Sequence, residues 1–496
     1  MTSTGDRVTH TSDDAPVASR PSQPIDLLAV RVFVVALVVL LAGYMFLGRG
    51  FAHLGMPPIY LSEIVLGVGL LATAFAVVRL RLRLARSWIA VLLVLYMVLG
   101  FARTVPYLET HGINALRDAV LWGYGVFALF IFVLADRAWL LGTKRLYGAM
   151  VPIFAVWLPF AWIAFWTYHH LIPLAPGDIP VLYFKNQDMA VHTVGAIAFL
   201  VLATSVTTDV AHFAWRTVVA LPLAWGVYVT GSLSRGAVVS AVAGLAVLGV
   251  LARRSPTWAP VLVAGLAIAL TVITPGVLTG SIPPGPSPTP AVTVSPSPPP
   301  SDEPTPSPPP SGEPTPSPAL AVGREVSPNQ WWENILSVLL KSSDENLEGT
   351  KQFRLAWWTK IIGYTVFGPH FWDGKGFGIN LADDDGFQPT ADRSLRAPHN
   401  SHFTVLARMG VPGFVLWFLL QGAFGVQLLR SVIAHRRSGD TEVAAMGGWI
   451  LVYWTAMMVD TSFDPYLEGP QGGIWFWTLF GLGLVVIRHA PRLRWR

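Results

Sequence analysis

Residues Val30–Leu47 read VRVFVVALVVLLAGYMFL, with one charge, Arg31, at the leading edge. As a helix rising 1.5 Å per residue this segment is about 27 Å long, close to the ~30 Å hydrocarbon core of a bilayer. Its apolar side chains run round every face, so it keeps no polar stripe for water and reads as a membrane span. Segments of the same kind recur at Ile59–Val78, Trp88–Ala102, Ala119–Ala135, Ala149–Tyr168, Met189–Thr207 and Thr217–Ser232. Five more follow at Ala237–Leu251, Trp258–Thr274, Val411–Leu429, Val443–Asp460 and Gly473–Ile487. The whole chain agrees: of 496 residues 53% are hydrophobic and 13% charged, and the mean hydropathy is +0.51. Such a composition excludes a soluble enzyme and predicts an all-α, polytopic integral membrane protein with about twelve transmembrane helices.

The basic residues set the expected orientation. Arg79, Arg81, Arg83 and Arg86 follow the second span, Arg137, Lys144 and Arg145 the fourth, Arg253 and Arg254 the eighth, and Arg430, Arg436 and Arg437 the tenth. Arg488, Arg492, Arg494 and Arg496 close the chain. All lie on one side when the span count is even, and the positive-inside rule makes that side the cytoplasm. Both termini are then cytoplasmic in a multi-pass protein of the inner or plasma membrane. Residues 1–29 read as a disordered cytoplasmic tail with no cleavable signal ahead of the first span. The net charge of +5 thus reflects membrane topology and gives no reason to expect nucleic acid. The chain contains no cysteine, which removes disulfides and thiolate metal sites.

Residues 30–274 hold spans one to nine, and one large loop, residues 275–410, separates them from the rest; this topology puts the loop outside. Its Pro/Ser/Thr tract at 280–318 cannot bury apolar surface and reads as a disordered spacer. Residues 329–410 read as a helical, catalytic part. Trp331, Trp332, Ile335, Leu336, Val338 and Leu339 recur at helical spacing, and Phe353, Trp357, Trp358, Ile361 and Ile362 do so again. Both sets are expected to lie in the membrane interface with tryptophans at headgroup level. Residues 411–496 hold spans ten to twelve and a short basic tail.

Chemistry is expected at Leu395–Gly413, LRAPHNSHFTVLARMGVPG. Pro398 keeps Ala397 extended and allows a helix only after it, so His399 and Asn400 fall at a helix start with Asn400 or Ser401 as cap. Gly410, Pro412 and Gly413 should stop that helix. The unpaired N–H groups of a helix start, with Arg396 three residues ahead of His399, would hold an anion beside an imidazole. An imidazole with an ordinary pKa of about 6.5 accepts a proton at neutral pH. Arg235 stands at a mouth between two spans, after Ser232 and Ser234, where it either snorkels or pairs with a phosphate; Gly236, Ser240 and Gly244 make a small face for helix packing. Lys185, Asn186 and Asp188, and in the last outer loop Asp460, Asp464 and Glu468, are further polar candidates on the same face. Gly374, Gly376 and Gly378 read as a turn, and Asp383, Asp384 and Asp385 as a solvated turn without spaced metal ligands.

Pro398-His399-Asn400, the aromatic Phe403, and Gly410 and Gly413 ahead of a span resemble the signature of the O-antigen ligase and polysaccharide polymerase family of bacterial envelope membrane proteins. Gly231-Ser232-Leu233-Ser234-Arg235-Gly236 resembles its Ser-Arg-Gly motif. Arg354, with Trp358, Pro369, Gly374, Gly376 and Gly378, resembles its Arg…Trp…Pro…Gly-x-Gly run. Where relatives often carry an acidic residue this chain has Arg408. The resemblance implies a GT-C-like fold and a metal-independent glycosyltransferase with no cofactor. Its donor would be a glycan on a polyprenyl diphosphate such as undecaprenyl diphosphate, and its acceptor a hydroxyl of a lipid, protein or wall glycan. On that reading His399, Arg235 and Arg354 are catalytic, the histidine removing the acceptor's proton and the arginines stabilising the leaving diphosphate. Arg396, Asn400, Ser234 and Lys185 would bind substrate. Competing readings are a polymerase in place of a ligase, or a transporter of anions or lipid-linked sugars, whose site would lie nearer the bilayer midplane.

Overall fold

The computed structural model describes residues 27–56, 59–80, 87–204, 209–253, 256–278, 326–339, 345–389 and 393–491. The tail through residue 26, the proline tract, and Arg81, Arg83, Arg86, Arg254, Arg492, Arg494 and Arg496 lie outside these residues. Over most of its described residues each of the apolar stretches is helical. In chain order the helices are α1 (Leu28–Leu47), α2 (Leu61–Leu80), α3 (Trp88–Thr104), α4 (Ile113–Gly123) and α5 (Gly125–Leu134). Then come α6 (Arg137–Thr167), α7 (Asn186–Leu202), α8 (Val210–Leu233), α9 (Arg235–Ala252) and α10 (Ala259–Leu278). Two loop helices, α11 (Pro328–Leu339) and α12 (Glu345–Thr365), precede α13 (Ser401–Arg437), α14 (Thr441–Asp460) and α15 (Pro470–Arg488).

Among the described residues nine helices are long and apolar enough to cross a membrane, and α4 with α5, bent by 45° at their junction, make a tenth if they are one span. The chain is a multi-pass membrane protein. Burial explains how one composition serves two environments. α7, α14 and α15 are buried on nearly every face, whereas α1, α3 and α6 leave Val35, Val39, Val91, Val98, Ile153 and Phe160 exposed. An apolar stripe of that kind is stable only against hydrocarbon. Two antiparallel pairs of two-residue strands, Gly55–Met56 with Ile59–Tyr60 and Leu174–Ala175 with Ile179–Pro180, are the departures from helix at the ends of the spans.

The connections after α1, α3, α6, α8 and α14, together with the loop before α13, gather at one end of the bundle, here the site end. Arg103 Nε donates to the Asp373 carbonyl (2.8 Å) there, and Gly48 bridges to Tyr183. At the opposite, basic end Arg137 pairs with Asp440 (2.9 Å), and Arg436 and Arg488 donate to the carbonyls of Leu251 and Phe132 (2.8 Å each), closing the last turns of neighbouring helices.

Two expectations are corrected. Trp357 and Ile361 of α12 are not turned to the lipid headgroups. Both are fully buried in a small core with Leu381, Ala382, Leu406 and Ala407, beside Phe353, Ile362 and Phe403. The same amphipathic spacing serves a lipid surface or a protein core, and here a protein core claims it. Nor is the acidic run wholly solvated: Asp385 is buried, accepting from Trp357 Nε1 (2.7 Å) and pairing with Lys375 (2.5 Å), while Asp383 and Asp384 stay exposed.

The helix opening at Ser401 is interrupted at Gly410, whose φ of 65° and ψ of −170° divide α13 into a short first part and a long second part. The carbonyls freed at the break are taken by the glycine turn: Lys375 N and Gly376 N donate to Ala407 and Arg408 (2.7 and 3.1 Å). That turn must come close. A Cβ on Gly374 would lie 2.5 Å from the Arg408 carbonyl carbon, and one on Gly376 would lie 2.0 Å from the Tyr107 ring.

Candidate active site

The first part of α13 is docked against the loop that joins α14 to α15. Ser401 N donates to the Thr461 carbonyl (2.9 Å), His402 Nε2 meets Ser462 Oγ (3.1 Å), and Thr404 Oγ1 donates to Glu468 (2.7 Å). Asn400 caps the helix: its side-chain oxygen accepts from the N–H groups of His402 and Phe403 (3.0 and 3.2 Å). From the other side Trp358 stacks on Phe403 at 4.9 Å and donates from Nε1 to the Pro398 carbonyl (3.0 Å). Between these clamps His399 has φ of 52°, a left-handed conformation rare for a residue with a Cβ and found where surrounding structure imposes it. Its Nδ1 is buried with no hydrogen-bond partner among the described residues.

Five charged side chains from distant parts of the sequence meet beside this histidine. Arg49, just past the end of α1, holds Asp188 through Nε and Nη2 (2.6 and 3.0 Å) and also pairs with Asp464. Lys185 pairs with the second oxygen of Asp464 (2.9 Å). Backbone bonds fix this meeting: Tyr183 N donates to Leu47 O (3.0 Å) and Gly50 N to Tyr183 O (3.1 Å), so the segment leading into α7 is laid against the end of α1. Arg354, on α12 one turn before Trp358, donates to the Phe463 carbonyl (3.1 Å). Phe463 in turn packs on Gly236, where an added Cβ would fall 3.0 Å from the Phe463 Cβ and 1.9 Å from Gln187 Nε2. Hence Arg235 at the first turn of α9, Arg354 on α12 and the Asp464 loop are brought to one place.

The electrostatics follow from burial and these pairs. Burial pushes His399 down to about 4, helped by the Arg354 guanidinium and opposed by Asp464, so its ring is neutral at physiological pH. Burial by itself would raise Asp464, but Arg49 and then Lys185 override it and hold the carboxyl well below the usual carboxylate range. Arg49 is held charged by Asp188 and Asp464 against its own burial. Glu468 is pushed up to about 7 by burial, with the Thr404 hydroxyl and Arg408 acting the other way. Among the described residues no three His, Asp or Glu side chains are grouped to hold a metal ion.

The candidates picked from sequence divide into two groups. His399, Arg354 and Lys185 converge, and the start of α9 that carries Arg235 lies against the loop holding Asp464. Asn400 and Ser234 are helix caps, Ser234 Oγ accepting from Ala237 N at the start of α9. Arg396 turns to Asp118 (3.2 Å) and the Gly378 carbonyl (3.0 Å), beside buried Arg408, which also pairs with Asp118 (2.9 Å) and donates to the Gly376 carbonyl (3.1 Å). This pair of arginines pins the glycine turn to α4. The expected small face is filled as helix packing: Gly244 meets Val194 and Ala456, and Ser240 Oγ reaches Asp460 (3.3 Å). Arg49 is the residue that sequence reasoning missed. A lone arginine at the end of a span carries no signal, and only its position opposite Asp188 and Asp464 distinguishes it.

Residues 217–418 match the O-antigen ligase family model, Wzy_C. The O-antigen ligase match begins in α8 and ends in the second part of α13. It therefore takes in Ser234, Arg235, Arg354, Arg396, His399 and Asn400, and it leaves Arg49, Lys185, Asp188 and Asp464 outside. The match supports a membrane enzyme of polysaccharide or envelope biosynthesis. The search of curated proteins finds no match to the chain.

Proposed function

We propose that this protein transfers a glycan from a polyprenyl diphosphate to a hydroxyl of an acceptor, in the manner of an O-antigen ligase. The observation that carries the reading is the convergence of a neutral, unpartnered histidine with Arg354, Lys185 and Arg49 around Asp464. The acceptor oxygen attacks the anomeric carbon, the bond from that carbon to the diphosphate oxygen breaks, and the acceptor's proton passes to His399. The negative charge left on the diphosphate is met by Arg354 and Arg235, with Lys185 at the rim. Planar guanidinium groups suit two adjacent phosphate oxygens better than an ammonium does. Charge stabilisation by arginine makes the reaction metal-independent. The basic residues at the opposite end support an extracytoplasmic site and cytoplasmic termini.

The test is purified protein in lipid with a polyprenyl-diphosphate glycan and a chelator, donor binding and product being measured separately. His399→Ala should bind donor almost normally and transfer roughly 10²–10⁴ times more slowly. Arg354→Ala should lose both binding and rate, and Arg354→Lys should recover only part. Unchanged transfer by folded His399→Ala protein removes the base from the mechanism, and a strict need for added divalent metal removes the arginine-only stabilisation.

A further inference from the structure

The segment that joins α12 to the glycine turn ends in an apolar tip. Phe367 is 84% and Trp372 76% exposed, and Phe371 packs edge-on against Trp372 with ring centroids 4.9 Å apart. The tip is rigidly mounted. Val366 N donates to Ile362 O (2.8 Å), His370 N to Tyr364 O (2.9 Å), Gly374 N to His370 O (3.0 Å) and Val411 N to Phe371 O (2.8 Å). Two large rings held outward by so firm a backbone form a fixed surface.

The height of that surface follows from its mounts. After Gly410, α13 continues to Arg437 for about 40 Å at 1.5 Å per residue, some 10 Å more than a ~30 Å hydrocarbon core. The basic Arg430, Arg436 and Arg437 place that excess at the far end, so Val411, to which Phe371 is bonded, lies at the edge of the hydrocarbon on the site side. Arg103, at the far end of α3 from Trp88, is at the same level and holds Asp373. Below the tip the exposed side chains are Phe101, Val415, Phe418 and Leu419, the lipid-facing belt of α3 and α13. The tip continues that belt upward with a tryptophan and a phenylalanine, the aromatic residues that favour the headgroup boundary.

We infer that Phe367 and Trp372 insert into the lipid leaflet at the site end, and that this anchor sets the height of α12 above the membrane. The occupant is lipid, because the exposed rings are continuous with surface that already faces lipid. This inference is independent of the reaction: it needs only that the long helices cross a bilayer.

The absence of cysteine makes the experiment direct. Pro369→Cys lies between the two rings and leaves both in place; it is labelled with a nitroxide in lipid nanodiscs, with Val415→Cys as the lipid reference and Asp383→Cys as the aqueous one. Accessibility to oxygen and to a water-soluble nickel chelate is then compared. The expected result is an oxygen-to-nickel ratio severalfold above that at Asp383, approaching that at Val415, and falling to the aqueous value when Phe367→Ser and Trp372→Ser are added. Both substitutions are at exposed positions, so the fold should persist, and an unchanged melting temperature checks it. A Pro369→Cys label as open to nickel as Asp383 overturns the inference. So does a label shielded from both reagents, which would mean a protein contact, such as a second copy, in place of lipid.

Discussion

If His399 is the base, the acid limb of transfer should lie far below the usual range for histidine. Burial and the facing Arg354 guanidinium put the imidazole at about 4, against about 6.5 for an unperturbed ring. The sign follows directly: a base works in its neutral form, and a depressed pKa extends that form to lower pH. At pH 5 a group titrating at 4 is about 90% neutral, whereas one at 6.5 is about 3% neutral, a roughly thirtyfold difference in the competent fraction. The quantity to measure is kcat/KM for the donor between pH 4 and 8, since it reports groups in the free enzyme. Glu468, pushed up to about 7, is the competing titration in the same loop, and Glu468→Gln removes it. In the Glu468→Gln protein, activity at pH 5 should stay near its plateau and fall only towards pH 4. A limb at about 6.5 in that background would refute the argument, because a solvated histidine or another group would then be the one that titrates.

Three further outcomes follow from the pairings. Arg49→Met strands Asp188, 2% exposed, and leaves Asp464, 4% exposed, with Lys185 alone; breaking a buried pair costs about 3–5 kcal/mol, so unfolding in detergent should shift strongly downward, and Asp188→Asn added to Arg49→Met should recover part of it. Arg396→Met should lower stability through Asp118 yet leave donor affinity within about twofold, since its charge is engaged away from His399; a tenfold loss of affinity would return Arg396 to the binding site. Reporter fusions after Asp178 and after Ser438 should give opposite signals, and like signals would undo the two-ended arrangement of loops.

Much of the fold was legible because membrane spans announce themselves locally. A run of apolar residues long enough for the bilayer needs no partner to be recognised, and each run is helical over most of its described residues. The cap at Asn400 and the break at Gly410 were equally local, the first fixed by Pro398 two residues earlier, the second by a glycine followed by Pro412. Where the sequence misled, the local signal was real but its partner was not encoded. The spacing of Phe353, Trp357 and Ile361 demands an apolar surface without saying whether lipid or Leu381, Ala382 and Leu406 supply it. Phe367 and Trp372, in a segment with no periodicity, are the rings left facing outward.

The charged half of the site is harder to read for a physical reason. A carboxylate can be buried only with its counter-charge, and Arg49 finds Asp188 and Asp464 at separations of 139 and 415 residues, set by which helix ends share one end of the bundle. No window of sequence contains that pairing. At the end of a membrane bundle, under loop helices, Asp464 ties one arginine and one lysine beside a histidine kept neutral, so positive charge and a proton acceptor coexist a short distance apart. The proposed donor, bearing two phosphates, and an acceptor bearing one hydroxyl ask for that combination. The arginine and the acid that hold it together lie outside residues 217–418, so the matched segment contains His399 and Arg354 but not the pair that positions charge beside them.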